Sequence, residues 1–299
     1  MKLNLPDPMK EEHQDYEPLD RVGMESVEAL LNLNGLNIPC AVHVFVSLDK
    51  KASRGIHMSR LYLLVQSALQ KNITTFDDLK VLLEEILETH KDLSHSAQIE
   101  IEFKYPLIRH ALKSSEVGIR NYKSKIKMHL NSQTKKVRSF LHFEVLYSST
   151  CPASASLARQ LQKEHFENHF GQETLSKKEI ADWLGHSSSV IATPHAQRSR
   201  ATLQLEVGVL SNISILKTLI DAVEDVLKTP VQGPVKREDE QAFAKLNGKN
   251  LMFCEDVARR LKKYLDEQKL VFAYKVKVSH MESLHPHNAV AFVEGKKKT

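Results

Sequence analysis

The chain has 299 residues, 41% hydrophobic, 26% charged and 6% aromatic, enough apolar material for one large domain or two modules of about 150 residues and too much for a disordered chain. Lys and Arg number 42 against 37 Asp and Glu, a net +5 that is spread out rather than massed. With Trp and Tyr scarce, the footprint of a nucleic-acid binder is missing, a small anionic substrate suits the charge, and no run approaches the roughly 18 apolar residues of a membrane span.

Residues 1–23 read as an extended tail, polar and acidic, carrying Pro6, Pro8 and Pro18 and lacking the apolar stretch of a secretory signal. Two apolar runs follow, Val27 to Leu33 and Ile38 to Leu48, broken by a turn; the second is rich in β-branched residues and predicts a strand. Helical spacing covers His57 to Lys71, and a second helix to about His90 opens on the N-cap signal of Thr75. Ala97 to Tyr105 and Gly118 to Leu130 alternate as strands, the latter half-exposed. Val137 to Tyr147 and Ser199 to Leu210 are further strands, Ile213 to Leu227 is an amphipathic helix, and Arg237 to Gln268 holds one or two more helices, interrupted near Asn247 and Gly248. Val271 to Val278 and Ala289 to Glu294 close the chain as strands.

This order is strand-strand-helix-helix-strand-strand, twice, with a first module over 24–133 and a second over 134–299. The repeat lies in element order, not in residue identity. The second module carries a helical insertion at about 157–191. The fold class is therefore α+β, with antiparallel sheets bearing helices on one face. The other face must pack or stay polar, and further subunits would close such modules into a barrel and remove their strand edges.

Cys40, Cys151 and Cys254 are an odd trio, no disulfide framework, and the expected setting is the reducing cytoplasm. Cys40 and Cys254 fall inside regular elements and read as small buried hydrophobes. Cys151 differs, because Pro152 ends the strand and opens a helix, setting the thiol at a helix N-terminus where thiolate is favoured. His195 precedes the next strand, at the end an antiparallel hairpin would bring beside Cys151. Glu282 and His285 stand three apart between the last two strands, and Glu238, Asp239 and Glu240 open a helix. One thiol, imidazoles and carboxylates make a mixed site that suits zinc and tolerates iron or manganese, although no Cys-x-x-Cys or His-Glu-x-x-His spacing is present.

Six segments carry a resemblance: Ser53-Arg-Gly-Ile-His-Met-Ser-Arg, Ser149-Thr-Cys-Pro, Thr193-Pro-His-Ala-Gln-Arg-Ser, Lys236-Arg-Glu-Asp-Glu, Phe253-Cys-Glu-Asp and Glu282-Ser-Leu-His-Pro-His. In order and over nearly the whole chain, they resemble the type IB GTP cyclohydrolase I family. The resemblance implies a tunnelling fold of tandem ββααββ modules in a homotetramer. It implies hydrolysis of GTP to 7,8-dihydroneopterin triphosphate and formate, opening tetrahydrofolate synthesis. A divalent metal ion (zinc, manganese or iron) would be held by Cys151, His195 and Glu240, with Glu282 and His285 bounding that site or joining the coordination. Cys151, Glu282 and His285 would take part in catalysis, with the last two relaying protons. Glu255 would anchor guanine, and His57, Arg60, Arg198, Lys236 and Arg237 would take the triphosphate. Neither nucleic acid nor membrane is an expected partner. Many members carry a second cysteine two positions after the first; here that position is Ala153, with Ser154 the adjacent polar side chain. The competing readings are a relative acting on another purine or pterin and a nucleotide-binding scaffold without turnover.

Overall fold

Alternation of apolar side chains over long runs builds the strands of this chain. A computed structural model describes residues 17–51, 53–208 and 211–297. Its elements are β1 (Leu19–Leu33), β2 (Leu36–Leu48), α1 (Met58–Leu69), α2 (Phe76–Thr89), β3 (Ser96–His110), β4 (Val117–Asn131), β5 (Lys136–Thr150), α3 (Pro152–His169), α4 (Lys177–Gly185), β6 (Ala196–Val207), α5 (Ile215–Leu227), α6 (Arg237–Lys249), α7 (Cys254–Glu267), β7 (Val271–His280) and β8 (Ala289–Lys296). Among the described residues the strands form one antiparallel sheet in chain order, β1 to β8, where two sheets were expected. The turn after Asn131 is an ordinary hairpin connection, with Asn131 opposite Lys136, so both halves share one sheet and one core.

Register makes the two faces of the sheet chemically different. Val42, Ile101, Ile126, Leu141, Leu205 and Tyr274 stand opposite one another across six strands, all buried. One residue along, the row reads Ala41, Glu102, Lys125, His142, Gln204, Lys275 and Glu294. Shifting by one position moves a strand's side chains to the opposite face, so the apolar rows face the helices and the polar rows face away. The helices cover the apolar face with Leu61, Val65 and Leu69 of α1, Leu79, Leu83 and Ile86 of α2, Leu216, Ile220 and Val223 of α5, and Val257, Leu261 and Leu265 of α7.

Local signals set the boundaries. Asn34 and Gly35 take φ of 49° and 82°, the left-handed pair that a two-residue hairpin turn requires. The Asp78 carboxylate accepts from Thr75 N at 2.8 Å and opens α2. Strand β1 starts at Leu19, inside the segment expected to be a tail. It is an edge strand with Leu19, Asp20 and Arg21 exposed, so it needs no alternation to pair with β2. The rest of that tail, residues 1–16, lies outside the described residues. The first helix of the insertion, α3, opens at Pro152. The insertion has its own small core, in which the single Trp183 packs on Phe166 and Phe170.

The two halves are also locked by charge. Glu224 of α5, in the second half, accepts from Arg120 Nη1 at 2.8 Å and lies 3.0 Å from Arg109 Nη2, both from the first half. Tyr122 also donates to it, and burial together with this carboxylate pushes the phenol up to about 12. Removing one partner of a buried set leaves the others unpaired, which costs more than the set contributes. Glu224→Ala should therefore lose about 3–5 kcal/mol, read as a lower urea midpoint; a midpoint equal to that of the wild type would refute the lock.

Candidate active site at the ends of β5, β6 and β7

Beyond the Ser124–Phe143 pair, β4 and β5 part company, and the freed edge of β5 needs other partners. The chain before α6 supplies them: Ser148 N donates to Thr229 O at 2.8 Å and Val231 N to Leu146 O at 3.1 Å. The chain before α7 continues the edge, with Met252 N donating to Thr150 O at 3.2 Å. The N-termini of two helices are thus drawn to the end of β5, where Cys151 sits.

Cys151 is the N-cap of α3, with Pro152 in the first turn as expected. Its sulfur accepts from Ser154 N at 3.5 Å, and Cys151 N donates to His195 O at 3.2 Å. His195 N in turn donates to Ser154 Oγ at 3.1 Å. One serine therefore links the thiol to the histidine loop, next to Ala153.

On the imidazole of His195, Nδ1 lies 3.0 Å from Gln197 Oε1 and 3.7 Å from Glu282 Oε2. Gln197 Nε2 donates to Ser149 Oγ at 2.9 Å, and the Ser149 and Ser199 hydroxyls are 2.7 Å apart. Glu282 is held in place where β7 ends: Met281 N donates to Arg198 O, and Glu282 N to His280 O. Beneath it Tyr147 and His280 Nε2 share a hydrogen bond at 2.9 Å, buried in the core.

At the start of α7, Glu255 is exposed and accepts from the Cys254 thiol at 3.3 Å. Its own backbone N–H and that thiol hold its carboxyl below the usual range, so it is an anion, while burial and Glu255 push the Cys254 thiol up to about 11. Burial pushes Cys40 up to about 11 as well. Both are held as neutral thiols, in keeping with their reading as small buried hydrophobes.

The acidic start of α6 divides its labour. Asp239 is buried and accepts from Lys113 N at 2.7 Å, Ser114 N at 2.9 Å and Lys236 N at 2.9 Å, which ties α6 to the β3–β4 turn. Burial works against its charge, yet these donors hold it well below the usual carboxylate range. Close packing completes the tie, since a Cβ on Gly118 would stand 2.4 Å from Pro234 Cδ. Glu240, Lys236 and Arg237 are exposed around this anchor, with Lys236 paired to Glu116 at 2.9 Å.

Of the expected residues, Cys151 is joined to His195 through the backbone, and the His195 ring approaches Glu282. Arg198, Glu255, Lys236, Arg237 and Glu240 lie at the same end of the sheet. His285 is exposed on the β7–β8 loop and stacks on His287, ring centroids 5.0 Å apart. His57 and Arg60 lie elsewhere: Arg60 donates to Thr89 O and His57 neighbours His90, just before β3 begins. The first residues of β3, β5 and β7 share one end of the sheet and Cys151 the other, fifteen residues or about 45 Å away. The sequence reading gave no role to Gln197, Ser149 and the Tyr147–His280 pair, and did not tell Asp239 apart from its acidic neighbours. The available signal was polarity at core-facing positions of otherwise apolar strands.

Among the described residues, no three His, Cys, Asp or Glu side chains are grouped to hold a metal ion. The donor chemistry nevertheless fits one: a thiol at a helix N-terminus, an imidazole with Nδ1 engaged elsewhere, and a carboxylate alongside.

The chain matches the family model of type I GTP cyclohydrolase folE2 over residues 5–291. GTP cyclohydrolase FolE2 of Bdellovibrio bacteriovorus is 46% identical over 298 residues, covering 98% of this chain and 96% of that protein. GTP cyclohydrolase FolE2 of Hydrogenovibrio crunogenus is 40% identical over 294 residues, covering 97% and 94%. Among solved structures, a highly active BTUO mutant superposes with a TM-score of 0.50 at 7% identity, covering 93% of this chain and 99% of that one. That likeness is one of fold alone.

Burial makes this protein acid-sensitive in a defined window. It pushes His280 and His142 down to about 4, whereas the exposed imidazole titrates near 6.5. Below pH 6.5 the unfolded chain therefore binds more protons than the folded one, and stability falls with pH until about 4. Between pH 6.5 and 5, above the carboxylate range, the metal-free protein should lose about 1 kcal/mol per pH unit for each histidine. The urea midpoint measured against pH reads this slope, to which His90 and His129, also lowered by burial, add with the same sign, and His280→Gln should make it shallower by one histidine's share. A flat profile would contradict it.

Proposed function

The chain belongs to the type I GTP cyclohydrolase folE2 family, and we propose that the strand-end cluster of Cys151, His195 and Glu282 is the heart of its active site. The enzyme is a GTP cyclohydrolase that hydrolyses GTP to 7,8-dihydroneopterin triphosphate and formate, a reaction of folate biosynthesis. The observation that supports this location is the backbone hydrogen bond that sets Cys151 beside His195, whose ring lies 3.7 Å from Glu282, at the sheet end where Glu255 stands in the first turn of α7.

Glu255 suits guanine. The base offers N1–H and the 2-amino group as adjacent donors, and an exposed, ionised carboxylate accepts both. A purine without the 2-amino group leaves that carboxylate half paired, so selectivity follows from a single side chain. Arg198, Lys236 and Arg237 supply cations for the triphosphate, the last two exposed where α6 begins. Cys151, His195 and Glu240 would hold a divalent cation, zinc, manganese or iron, with Glu282 and His285 bounding or completing the set. Such an ion, when bound, supplies Lewis acidity that lowers the pKa of water for attack at C8 of the purine. His285, exposed on its loop, and Glu282 are free to carry protons as the ring opens.

His57 and Arg60 join the site from another subunit, in a homotetramer whose tandem modules close into a barrel. Two features support this: the separation of about 45 Å within one chain, and the outer positions of β1 and β8, whose outer edges have no partner strand among the described residues. The cytoplasm is the proposed location, in keeping with three free cysteines. No described helix is long and apolar enough to cross a membrane.

Incubating manganese-loaded protein with GTP should yield formate and, after oxidation, a fluorescent pterin. Cys151→Ala should lose metal and activity together, and full metal retention would remove Cys151 from the ligand set. Glu255→Ala should raise KM for GTP about 10- to 100-fold at unchanged metal content; an unchanged KM would take it out of the guanine site. Co-assembly of Cys151→Ala with Arg60→Ala subunits, each inactive alone, should restore about a quarter of the sites, the statistical share for a site built from two chains. No recovery in mixed oligomers would refute a site built from two chains.

A further inference from the structure

Gln197 is a polar side chain on the helix-facing side of β6, a row continued by Ser199 and then by Ala201, Leu203 and Leu205, and it is 8% exposed. Its amide joins two groups, with the nitrogen donating to Ser149 Oγ at 2.9 Å and Oε1 lying 3.0 Å from His195 Nδ1. The two serines alone would tolerate the amide either way round, since each hydroxyl both donates and accepts. Turned over, the amide would donate to Nδ1 and leave the imidazole proton on Nε2. Glu282 breaks the tie. Its carboxylate oxygen lies 3.7 Å from the same Nδ1, and a negative oxygen there favours a proton on that nitrogen.

We propose that Gln197 is a positioning residue that holds His195 as the Nδ1–H tautomer and so presents Nε2 as the nitrogen free for the metal. This rests on the reading of His195 as a metal ligand. The chain Ser199–Ser149–Gln197–His195 begins at two fully buried hydroxyls, which anchor the amide in the core and fix the ring plane. A ligating histidine whose other nitrogen is so engaged loses less freedom on binding and is a more basic donor.

Nitrogen-15 spectra of the metal-free wild-type protein, with the His195 signals assigned by their loss in His195→Ala, read the tautomer directly. The expected result is Nδ1–H; an Nε2–H tautomer overturns the proposal. Gln197→Leu, which fills the space without accepting, should move His195 toward a tautomer mixture and weaken zinc about 10- to 100-fold. Gln197→Glu, which keeps the acceptor, should restore both readouts, and a failure to fold in either variant leaves the wild-type spectrum decisive. Zinc is titrated against a chromophoric chelator in the same variants and in Cys151→Ala and His195→Ala. If those two lose zinc while Gln197→Leu binds it as the wild type does, this inference falls alone. If neither loses zinc, the metal-ligand reading falls and takes the inference with it.

Discussion

The ladder between β5 and β6 runs unbroken to its last rung, and that rung fixes where Cys151 and His195 stand. Thr150 faces Ala196, and the next backbone hydrogen bond joins Cys151 to His195. Everything from Pro152 to Pro194 leaves the sheet on one side of this rung and returns on the other. The entropy of closing such a loop grows only with the logarithm of its length, so a long helical insertion costs little as long as the rung holds. Trp183, Phe166 and Phe170 give the insertion its own apolar contacts, and Ser154 ties its first turn back to His195. Two residues far apart in sequence thereby become neighbours through backbone pairing alone.

The parting of β4 and β5 beyond Phe143 is the second constraint, since the freed edge recruits the chain ahead of α6 and α7. An unpaired buried backbone group costs as much as a lost hydrogen bond, so these segments are held by necessity as well as by packing. Thr229 and Asn250 reinforce the arrangement: Asn250 Nδ2 donates to Leu227 O at 2.8 Å, and Thr229 Oγ1 to Ser148 O at 2.7 Å. Two helix N-termini, Glu255 and the Lys236–Arg237 pair thus reach one end of the sheet as a consequence of strand geometry.

Much of this was legible in the sequence where a local rule applies. Strict alternation announced β3 and β4, Thr75 announced α2, and Pro152 announced a helix opening on a thiol. What resisted reading depends on partners distant in sequence. Glu238, Asp239 and Glu240 are adjacent carboxylates, and successive helix residues point about 100° apart, so only the β3–β4 turn, some 125 positions earlier, decides that Asp239 is the buried one. Gln197 and Ser199 break the apolar pattern of β6, but their purpose lies in Ser149 on the neighbouring strand. Strand β1 has little alternation to read because its first residues lie at an open edge. The single sheet was hidden for a related reason: the sequence shows the order of elements, while the β4–β5 hairpin shows that both halves share a core.

Length explains why residues resembling one family site lie at both ends of one molecule. A strand of fifteen residues is about 45 Å long, and no side chain spans more than a small part of that distance. His57 and Arg60 sit where α1 begins, against the end of α2 at Thr89 and His90, while Cys151 sits where β5 finishes. Bending the sheet cannot bring them together, because the apolar row from Val42 to Tyr274 would lose its helices. If both groups serve one nucleotide, a second chain must present the opposite end of its own sheet. The exposed edges of β1 and β8 are the surfaces through which a closed ring of such chains would form. Strand length is thus the physical ground for the proposed assembly.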